Sequence, residues 1–520
     1  MRGIRILAAA AFALAIIGGG GYYAYHLFIE NQFRSALDQA VRELPPGYSA
    51  QYKTVSYSAL SGQGSVEGLT VHKDAPQGFD LAIDRIEVDK PDFDFAAAWS
   101  KAAQDPAAVS PELALAVAGR INAKGVTLHA DLLSGSLGSL ELTGLHLYPW
   151  PLLQPNPPNL ADIIALLQQR RQQPANLQEL QPLLRSMAAF GLALGYDHFT
   201  EENLALTAKM AMPQDAAPVE VNEKIDRATS THFERGLIGE GTLDGYAIKS
   251  GQGVDVQVAH AAVSGVDLRK PFTALLTQAT LTPDFLDGLA IDRLAYEGMT
   301  VARPGKPPFG IGSITLAKAL FAGGVLVSAE FGVSGISLSR AELPMPQADD
   351  AFTRLGLDRV SLSAALAYHW DAAQKRLAVP DFTLKLDELG TFDLSLDVDN
   401  VAPGIAAALQ AQLGHAVLHY NDNSLAERVF RAGAAATQSD PPAYRQHLVT
   451  LIEEQAAGFP DDATLQAAAQ AAIAFLREPK SLKIELAPPH PVPVVLLLRA
   501  AALTPPQLAA LLGLSVEANQ

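Results

Sequence analysis

Apolar residues recur at every second position between Leu357 and Asn400, and this period constrains the fold more than any other feature of the sequence. Successive side chains of a β-strand point to opposite faces of a sheet, so the period predicts strands with one apolar and one polar face. Such strands are typical of an antiparallel sheet that is wet on one side. The apolar face must then be covered by helices, by a second sheet or by a ligand. Its predicted members are Phe382, Leu384, Leu386, Phe392, Leu394 and Leu396.

A short sequence element occurs six times along the chain: a glycine, an aliphatic residue, a usually polar residue and a second aliphatic residue. Glycine tolerates turn and bulge conformations, so each copy predicts the start of a strand at a turn or bulge. The copies are irregularly spaced, which argues against a solenoid of fixed period. Together with the alternating segments 50–58, 64–72 and 79–88, the last with one slip, they predict a long meandering antiparallel sheet. The glycines are Gly68, Gly125, Gly144, Gly265, Gly298 and Gly335.

Two longer segments have helical rather than strand periodicity. Residues 159–195 predict two helices separated at Pro174, and much of 401–478 predicts further helices. Within the second segment, Ser424 and Glu427 have the spacing of a capping box, in which each side chain bonds the backbone of the other residue.

Shorter elements are expected near both ends of the chain. Residues 30–43 predict a leading helix, and residues 481–487 predict a strand. A last helix is expected to start at Thr504, which precedes a proline, and to end at Gly513. The residues after it predict a final strand that pairs back into a sheet.

The N-terminal segment from Ile6 to Tyr25 contains no charged residue. As a helix it would be about 30 Å long, which matches the hydrocarbon core of a bilayer and predicts a transmembrane anchor. A cleaved signal peptide is the alternative, because residues 13–15 fit a small-x-small cleavage site. Arg2 and Arg5 precede the segment, so the positive-inside rule predicts a cytoplasmic N-terminus and a periplasmic body at the bacterial inner membrane. The tyrosines expected at the far interface are Tyr22, Tyr23 and Tyr25.

These patterns predict an α+β fold class: one N-terminal transmembrane helix and an elongated, mostly antiparallel β-rich body with two helical blocks. The expected organisation has five regions. They are the cytoplasmic tip and anchor (1–29), a first β-rich region with its leading helix (30–158), a helical insertion (159–195), a second β-rich region (196–400) and a mostly helical C-terminal region that closes with short strands (401–520).

The composition argues against several classes of function. The chain has 520 residues and a net charge of −17, so it lacks the basic surface that a nucleic-acid-binding protein needs. It has no cysteine, which excludes disulfides, zinc–thiolate sites and iron–sulfur clusters and suits the oxidising bacterial periplasm. With 49% hydrophobic and 18% charged residues it is not a disordered chain.

Motifs that carry chemistry are scarce. His415 and His419 are four residues apart in a segment that alternates like a strand, which places their rings about 13 Å apart and too far to share a metal ion. The glycine-rich and serine-containing segments lack the spacing of phosphate-binding loops and of nucleophile elbows. We therefore expect no catalytic residue, no metal site and no cofactor, with an exported hydrolase as a less favoured alternative.

The layout resembles the AsmA-like and YdgA-type proteins of the bacterial envelope. The resemblance is carried by the segment from Arg2 to Tyr25, by the strands between Leu357 and Asn400 and by four copies of the glycine element, at Gly68, Gly125, Gly298 and Gly335. It implies an inner-membrane protein with a large β-rich periplasmic body, in lipid transport or outer-membrane assembly. It transfers no functional residue to this chain.

The functional expectation is a non-enzymatic envelope protein that binds or shields lipid or assists envelope assembly. Its expected partners are the bilayer, through the N-terminal helix, and a phospholipid or another envelope protein, but no nucleic acid. The alternative is a structural or partner-binding scaffold. An open groove on the apolar sheet face favours lipid, and a closed core favours the scaffold.

Overall fold

A computed structural model describes the chain at residues 34, 37, 38, 41, 42, 44, 47–58, 61–74, 78–92, 94–130, 133–154, 177–210, 219–278, 282–340, 346–402, 410–497 and 503–520. Strand makes up 55% of the structure and helix 26%. The fold is therefore mostly antiparallel β, and the predicted α+β class with a transmembrane helix is wrong.

The described helices are too short to span a bilayer. The helices Leu177–Ala193 and Pro441–Ala457 have 17 residues each, about 26 Å, and the second carries several charged residues. In the described part of the chain, no helix is both long and apolar enough to cross a membrane. The predictions of a transmembrane signal anchor and of a single-pass inner-membrane protein with a periplasmic body depended on such a helix, and this finding contradicts them. The residues predicted to form it lie outside the described residues: Ile6 to Tyr25, with Arg2, Arg5, Tyr22, Tyr23 and Tyr25.

The chain divides into two compact units. The first contains the described residues up to Tyr296 together with Thr300–Pro304 and Phe321–Val325. The second contains Glu297–Met299, Gly305–Leu320 and the described residues from Leu326 to the C-terminus. We refer to them as the first unit and the second unit.

The first unit is built on a β-meander. Strands β1 and β2 both pair with β3, and from β3 to β10 each strand pairs antiparallel with the next. The strands are β1 Tyr48–Gln51, β2 Thr54–Ser58, β3 Gln63–Lys73, β4 Phe79–Pro91, β5 Leu115–Ala130, β6 Leu133–Leu147, β7 Leu194–Met210, β8 Val219–Glu234, β9 Leu237–Ser250 and β10 Asp255–Asp267. The helices are α1 Phe95–Gln104, α2 Pro149–Leu152, α3 Leu177–Ala193 and α4 Arg269–Thr277, with short 3₁₀ turns at Pro106–Ala108 and Pro283–Leu286.

The second unit contains a sheet and the described helices that follow residue 345. From β13 to β17 each strand pairs antiparallel with the next, β17 also pairs with β18 and β19, and β18 pairs with β20. After β11 Ala290–Arg303 and β12 Lys306–Ala322, which cross the unit boundary, the strands are β13 Val325–Ser339, β14 Arg359–Asp371, β15 Arg376–Leu386, β16 Gly390–Asp399, β17 Gln412–Asp422, β18 Ser481–Leu486, β19 Val492–Pro493 and β20 Leu514–Ala518. The helices are α5 Pro346–Leu355, α6 Leu425–Ala436, α7 Pro441–Ala457, α8 Ala463–Arg477, α9 Val494–Leu497 and α10 Pro505–Leu512.

Strands β4 to β10 share a repeated break in their alternation. In each strand, two residues six positions apart have no partner in the pairing with the neighbouring strand, and the second of the two has a positive φ. The register is the same on both sides of each break, so neither strand gains an extra residue there and the break differs from a bulge. In β4, the buried residues Ile83 and Ile86 are three apart instead of two, so the slip predicted in 79–88 lies at Asp84. The pairs are Asp84/Lys90, Gly119/Gly125, Gly138/Gly144, Asp197/Asn203, Asp226/His232, Gly239/Gly245 and Ala259/Gly265.

The six glycines of the recurrent element lie inside strands and all have a positive φ. The prediction that these glycines start strands is wrong. A bulge, seen as a shift of register, accompanies Gly335, whereas the register does not change at Gly68, Gly125, Gly144 or Gly265. At four glycine breaks, an aspartate of the neighbouring strand fills the space where a Cβ would lie. These contacts are Asp84 with Gly125, Asp197 with Gly144, Asp226 with Gly245 and Asp292 with Gly265.

The apolar face of the first meander forms a sealed core. Val66 is 0% exposed, and Ile83 and Leu140 are each 1% exposed, although they lie on β3, β4 and β6. Leu37, one of the described residues of the predicted leading helix, is buried in the same cluster. We call the apolar side of β3 to β10 the inner face.

Helix ends agree with the sequence-based predictions where they depend only on residues close together in the chain. Helix α10 has the predicted start, with a capping box between Thr504 and Gln507, and it ends at Gly513 in the left-handed conformation. The strand predicted at 481–487 is β18, and the final strand is β20. The capping box predicted at Ser424 is wrong, because its hydroxyl donates to the Glu388 carbonyl instead of capping α6.

Candidate functional site

The candidate site is the apolar face of the sheet in the second unit. The six residues predicted for it all lie on one face of β15 and β16: the register pairs Phe382 with Leu394 and Leu384 with Phe392. Leu386 and Leu396 follow on the same strands at even spacing, on the same side. The structure therefore brings all six together.

This face extends well beyond β15 and β16. One row of directly opposed residues crosses seven strands, from β13 to β20 by way of β14 to β18. At about 4.8 Å between strands, the row is roughly 29 Å long. We call it the apolar row. Its members are Phe331, Leu366, Phe382, Leu394, Leu418, Ile484 and Val516.

The apolar row is not sealed as the first unit's core is. Phe331, at one end, is 40% exposed, and its other members are all half-buried. A continuous apolar surface that remains in contact with water is unfavourable and typically marks a binding site. This contrast in burial identifies the row as the candidate site.

Helices cover part of the same face. Tyr420 of β17 stacks on Phe392 with ring centroids 4.5 Å apart, and Phe475 of α8 meets Tyr420 edge-on at 6.0 Å. Helix α8 also contacts β18 and β20. Burial and a hydrogen bond to Asp422 both raise the pKa of Tyr420, so its hydroxyl stays neutral at physiological pH. The helix thus covers this face over β17, β18 and β20, the strands that carry the Leu418, Ile484 and Val516 end of the apolar row.

The opposite face of the sheet in the second unit is polar, and several of its charged side chains form ion pairs. Arg376 lies 3.0 Å from Asp397, and Glu485 lies 2.9 Å from Lys483 and 3.2 Å from His415. The Lys483 ammonium, and secondarily His415, hold the pKa of the Glu485 carboxyl below its usual range. These pairs are exposed and contribute little stability, but they make this side water-facing.

Sequence reasoning missed the extension of the apolar row to Leu418, Ile484 and Val516. The local signal was present at Ile484 and Val516, which each lie between polar residues in their strands, but weaker at Leu418, which follows Val417. What the sequence could not supply was the register, because β17, β18 and β20 are separated along the chain by helices.

The structure offers no metal centre among the residues it describes: no group of three or more histidines and carboxylates lies close enough to hold a metal ion. His415 and His419 lie four apart on strand β17, as their alternation predicts. His415 is bonded to Glu485, and His419 lies opposite Asp393 on the polar face.

Comparison with known proteins adds one match. A family model described only as "Uncharacterized protein" matches residues 383–519, a segment that contains the end of β15 and the elements that follow it. No curated protein and no solved structure matches the chain. The resemblance to AsmA-like and YdgA-type proteins stays a prediction.

Proposed function

We propose that the protein is a lipid-binding protein that holds acyl chains on the apolar row of the second unit. The observation that supports this most directly is the half-buried state of a row that spans seven strands. An acyl chain covers about half of a bilayer's ~30 Å hydrocarbon core, so a row of roughly 29 Å is long enough to hold one.

The chemistry of the row favours an acyl chain over a protein partner. Its members are aliphatic or phenylalanine side chains without hydrogen-bonding groups. A hydrocarbon chain needs none, whereas a protein segment brings backbone N–H and C=O groups that require partners when they are buried. The tryptophan, tyrosine and arginine anchors that dominate protein interfaces are also missing from the row.

A scaffold role suits the first unit, because its inner face is closed between β3 and β6 by its own side chains. A closed core of this kind supplies rigidity and needs no ligand to complete it. The lipid proposal therefore concerns the second unit alone.

The test is lipid extraction from the purified full chain, followed by mass spectrometry. We expect near-stoichiometric lipid in the wild type. Leu394→Gln, which places an amide in the middle of the row, should reduce bound lipid by about tenfold, the equivalent of about 1.4 kcal/mol. Ser395→Asp, on the next residue and the opposite face, is the matched control and should keep its lipid.

Folding of each variant is checked by its denaturation midpoint. A folded wild type without lipid would refute the proposal, whether or not a protein partner co-purifies. Equal losses of lipid in the two variants would also refute it, because lipid would then not depend on the apolar row.

A further inference from the structure

A carboxylate lies within the inner face of the first unit. Glu201 of β7 is only 8% exposed, and the register places it opposite Leu140 on one side and Ala228 on the other. Carboxylates are almost never buried this deeply without a partner, because removing their charge from water costs several kcal/mol.

The break at Asn203 accounts for this inward orientation. Asn203 has a positive φ and shifts the alternation of β7 by one residue. Glu201 therefore shares the inner face with Phe199 before the break and with Leu204 after it. Glu202, the next residue, faces the other side, where Ser139 donates a hydrogen bond to its carboxylate.

Among the described residues, no side chain on the inner face neutralises Glu201. Burial, and secondarily the charge of Glu223, raise its pKa, and neither a cation nor a hydrogen bond lowers it. The basic side chains of the flanking strands lie on the opposite face: Lys224 pairs with Asp226 there, and Arg227 is exposed. In the part of the chain that the structure describes, the carboxylate therefore has no counter-ion.

The inner face is closed around Glu201 on β6 and β7, where Leu140 and Leu204 are 1% and 2% exposed, and becomes more accessible on β8 and β9. Glu223 of β8, opposite Leu206 and Ile248, lies on the same face and is half-buried, as are Tyr246 and Ile248 of β9. This differs from the sealed part of the core at β3 to β6. The result is a partly accessible apolar surface on β8 and β9 that bears Glu223 and is bordered by the buried Glu201.

We propose that this part of the inner face binds an organic cation with an apolar body, of the alkylammonium class. The ammonium group would supply the counter-charge that Glu201 and Glu223 lack, and the half-buried Ile248 would contact the apolar body. Phe199 and Tyr246 add aromatic rings, which attract ammonium groups. A hard metal ion fits less well, because it requires six or more oxygen ligands.

The test is calorimetric titration of the full chain with dodecyltrimethylammonium below its micelle concentration. Dodecyl sulfate, with the same tail and the opposite charge, is the matched probe. We expect the ammonium to bind at least tenfold more tightly than the sulfate. Glu201→Gln should weaken ammonium binding at least tenfold, and Glu202→Gln, on the opposite face, should leave it unchanged.

Equal affinity for the two probes would overturn the proposal, because the tail alone would then determine binding. Unchanged ammonium binding in Glu201→Gln would also overturn it. Should that variant fail to fold, Glu223→Gln takes its place, with the same expected loss. Titrations in a Leu394→Gln background weaken the apolar row of the second unit as a competing site, and the comparison of Glu201→Gln with Glu202→Gln in that background tests this inference independently of the lipid proposal.

Discussion

Replacing Gly125 by alanine tests whether the repeated strand breaks stabilise the first unit. Gly125 has a φ of 63°, in the left-handed region that glycine adopts without a steric cost. The carboxyl group of Asp84, on the neighbouring strand, fills the space beside it: an alanine Cβ would lie 2.6 Å from the Asp84 Cγ. The substitution therefore introduces both backbone strain and a steric clash.

Both effects can be estimated. Holding alanine in the left-handed region costs about 1–2 kcal/mol, and displacing a packed group costs about 1–3 kcal/mol. The reduced freedom of the unfolded chain returns about 0.4–1 kcal/mol. We expect Gly125→Ala to lower the free energy of unfolding of the first unit by about 2–4 kcal/mol.

Gly119→Ala is the matched control on the same strand. Gly119 has no positive φ, and its Cβ would lie 3.4 Å from the nearest atom, the Asp89 carbonyl oxygen. We expect its free energy of unfolding to stay within about 1 kcal/mol of the wild type. Adding Asp84→Gly to Gly125→Ala removes the clash and should leave only the backbone cost of about 1–2 kcal/mol.

The assay is urea unfolding followed by tryptophan fluorescence. A Trp370→Phe background leaves Trp99 and Trp150, which both lie in the first unit, as the reporters. A Gly125→Ala protein as stable as Gly119→Ala would refute the reasoning. So would the absence of any recovery on adding Asp84→Gly, because the aspartate would then not be the source of the clash.

Two further changes have expected outcomes. Burial and Glu223 raise the folded-state pKa of Glu201 above its ordinary value of 4.5, so the folded state of the first unit binds the extra proton. The free energy of unfolding should therefore fall as the pH rises from 4.5 through the folded-state pKa. Urea unfolding at a series of pH values measures this dependence, and Glu201→Gln should flatten it. The same slope in both proteins would show that Glu201 is not the group responsible. Asp462 caps helix α8 by accepting a bond from the Leu465 N–H at 3.0 Å. Asp462→Ala should lower the free energy of unfolding by about 1 kcal/mol, and Asp462→Asn should lower it by much less, because asparagine also caps helices. Thermal unfolding measures both changes. Equal losses in the two variants would argue against the cap.

Sequence patterns predicted the strands best where the two-residue period continues over several residues. Residues 382–386 and 392–398 alternate without interruption, and they form β15 and β16 in the expected orientation. In β4 the break at Asp84 places buried residues three apart, so the same pattern looks irregular in the sequence. The glycine element indicated such breaks but not their partners, because Asp84 and Gly125 meet only after β4 and β5 pair.

The helix ends show the same dependence on non-local contacts. The start of α10 at Thr504 was predictable because its capping box involves only residues three apart. Ser424 has the same local spacing, but two groups from outside the helix intervene. The Asp422 carboxylate accepts the bond from the Ala426 N–H, and the Glu388 carbonyl accepts the hydroxyl of Ser424.

Glu201 was not identifiable from the sequence for a related reason. Between Phe199 and Leu206 the inward positions are 199, 201, 204 and 206, and this order follows only once Asn203 is known to break the strand. Simple alternation continued from Phe199 through Glu201 would assign Leu204 and Leu206 to the polar face. Asparagine tolerates the left-handed region better than most residues, which is the only local signal of the break.

The kind of irregularity in the strand pairing distinguishes the two sheets. In the first unit, each pair from β4–β5 to β9–β10 leaves at least two opposed positions unpaired, and the register is the same on both sides of these positions, apart from one shift in β5–β6 between Ala116 and Ala118. In the second unit, β13–β14, β14–β15, β15–β16 and β16–β17 each contain a register shift, as expected where one strand has an extra residue and bends. Leucine, isoleucine and valine line both faces, yet Ile83 is 1% exposed and Leu394 is half-buried. Composition alone therefore does not account for the difference in burial between the two faces.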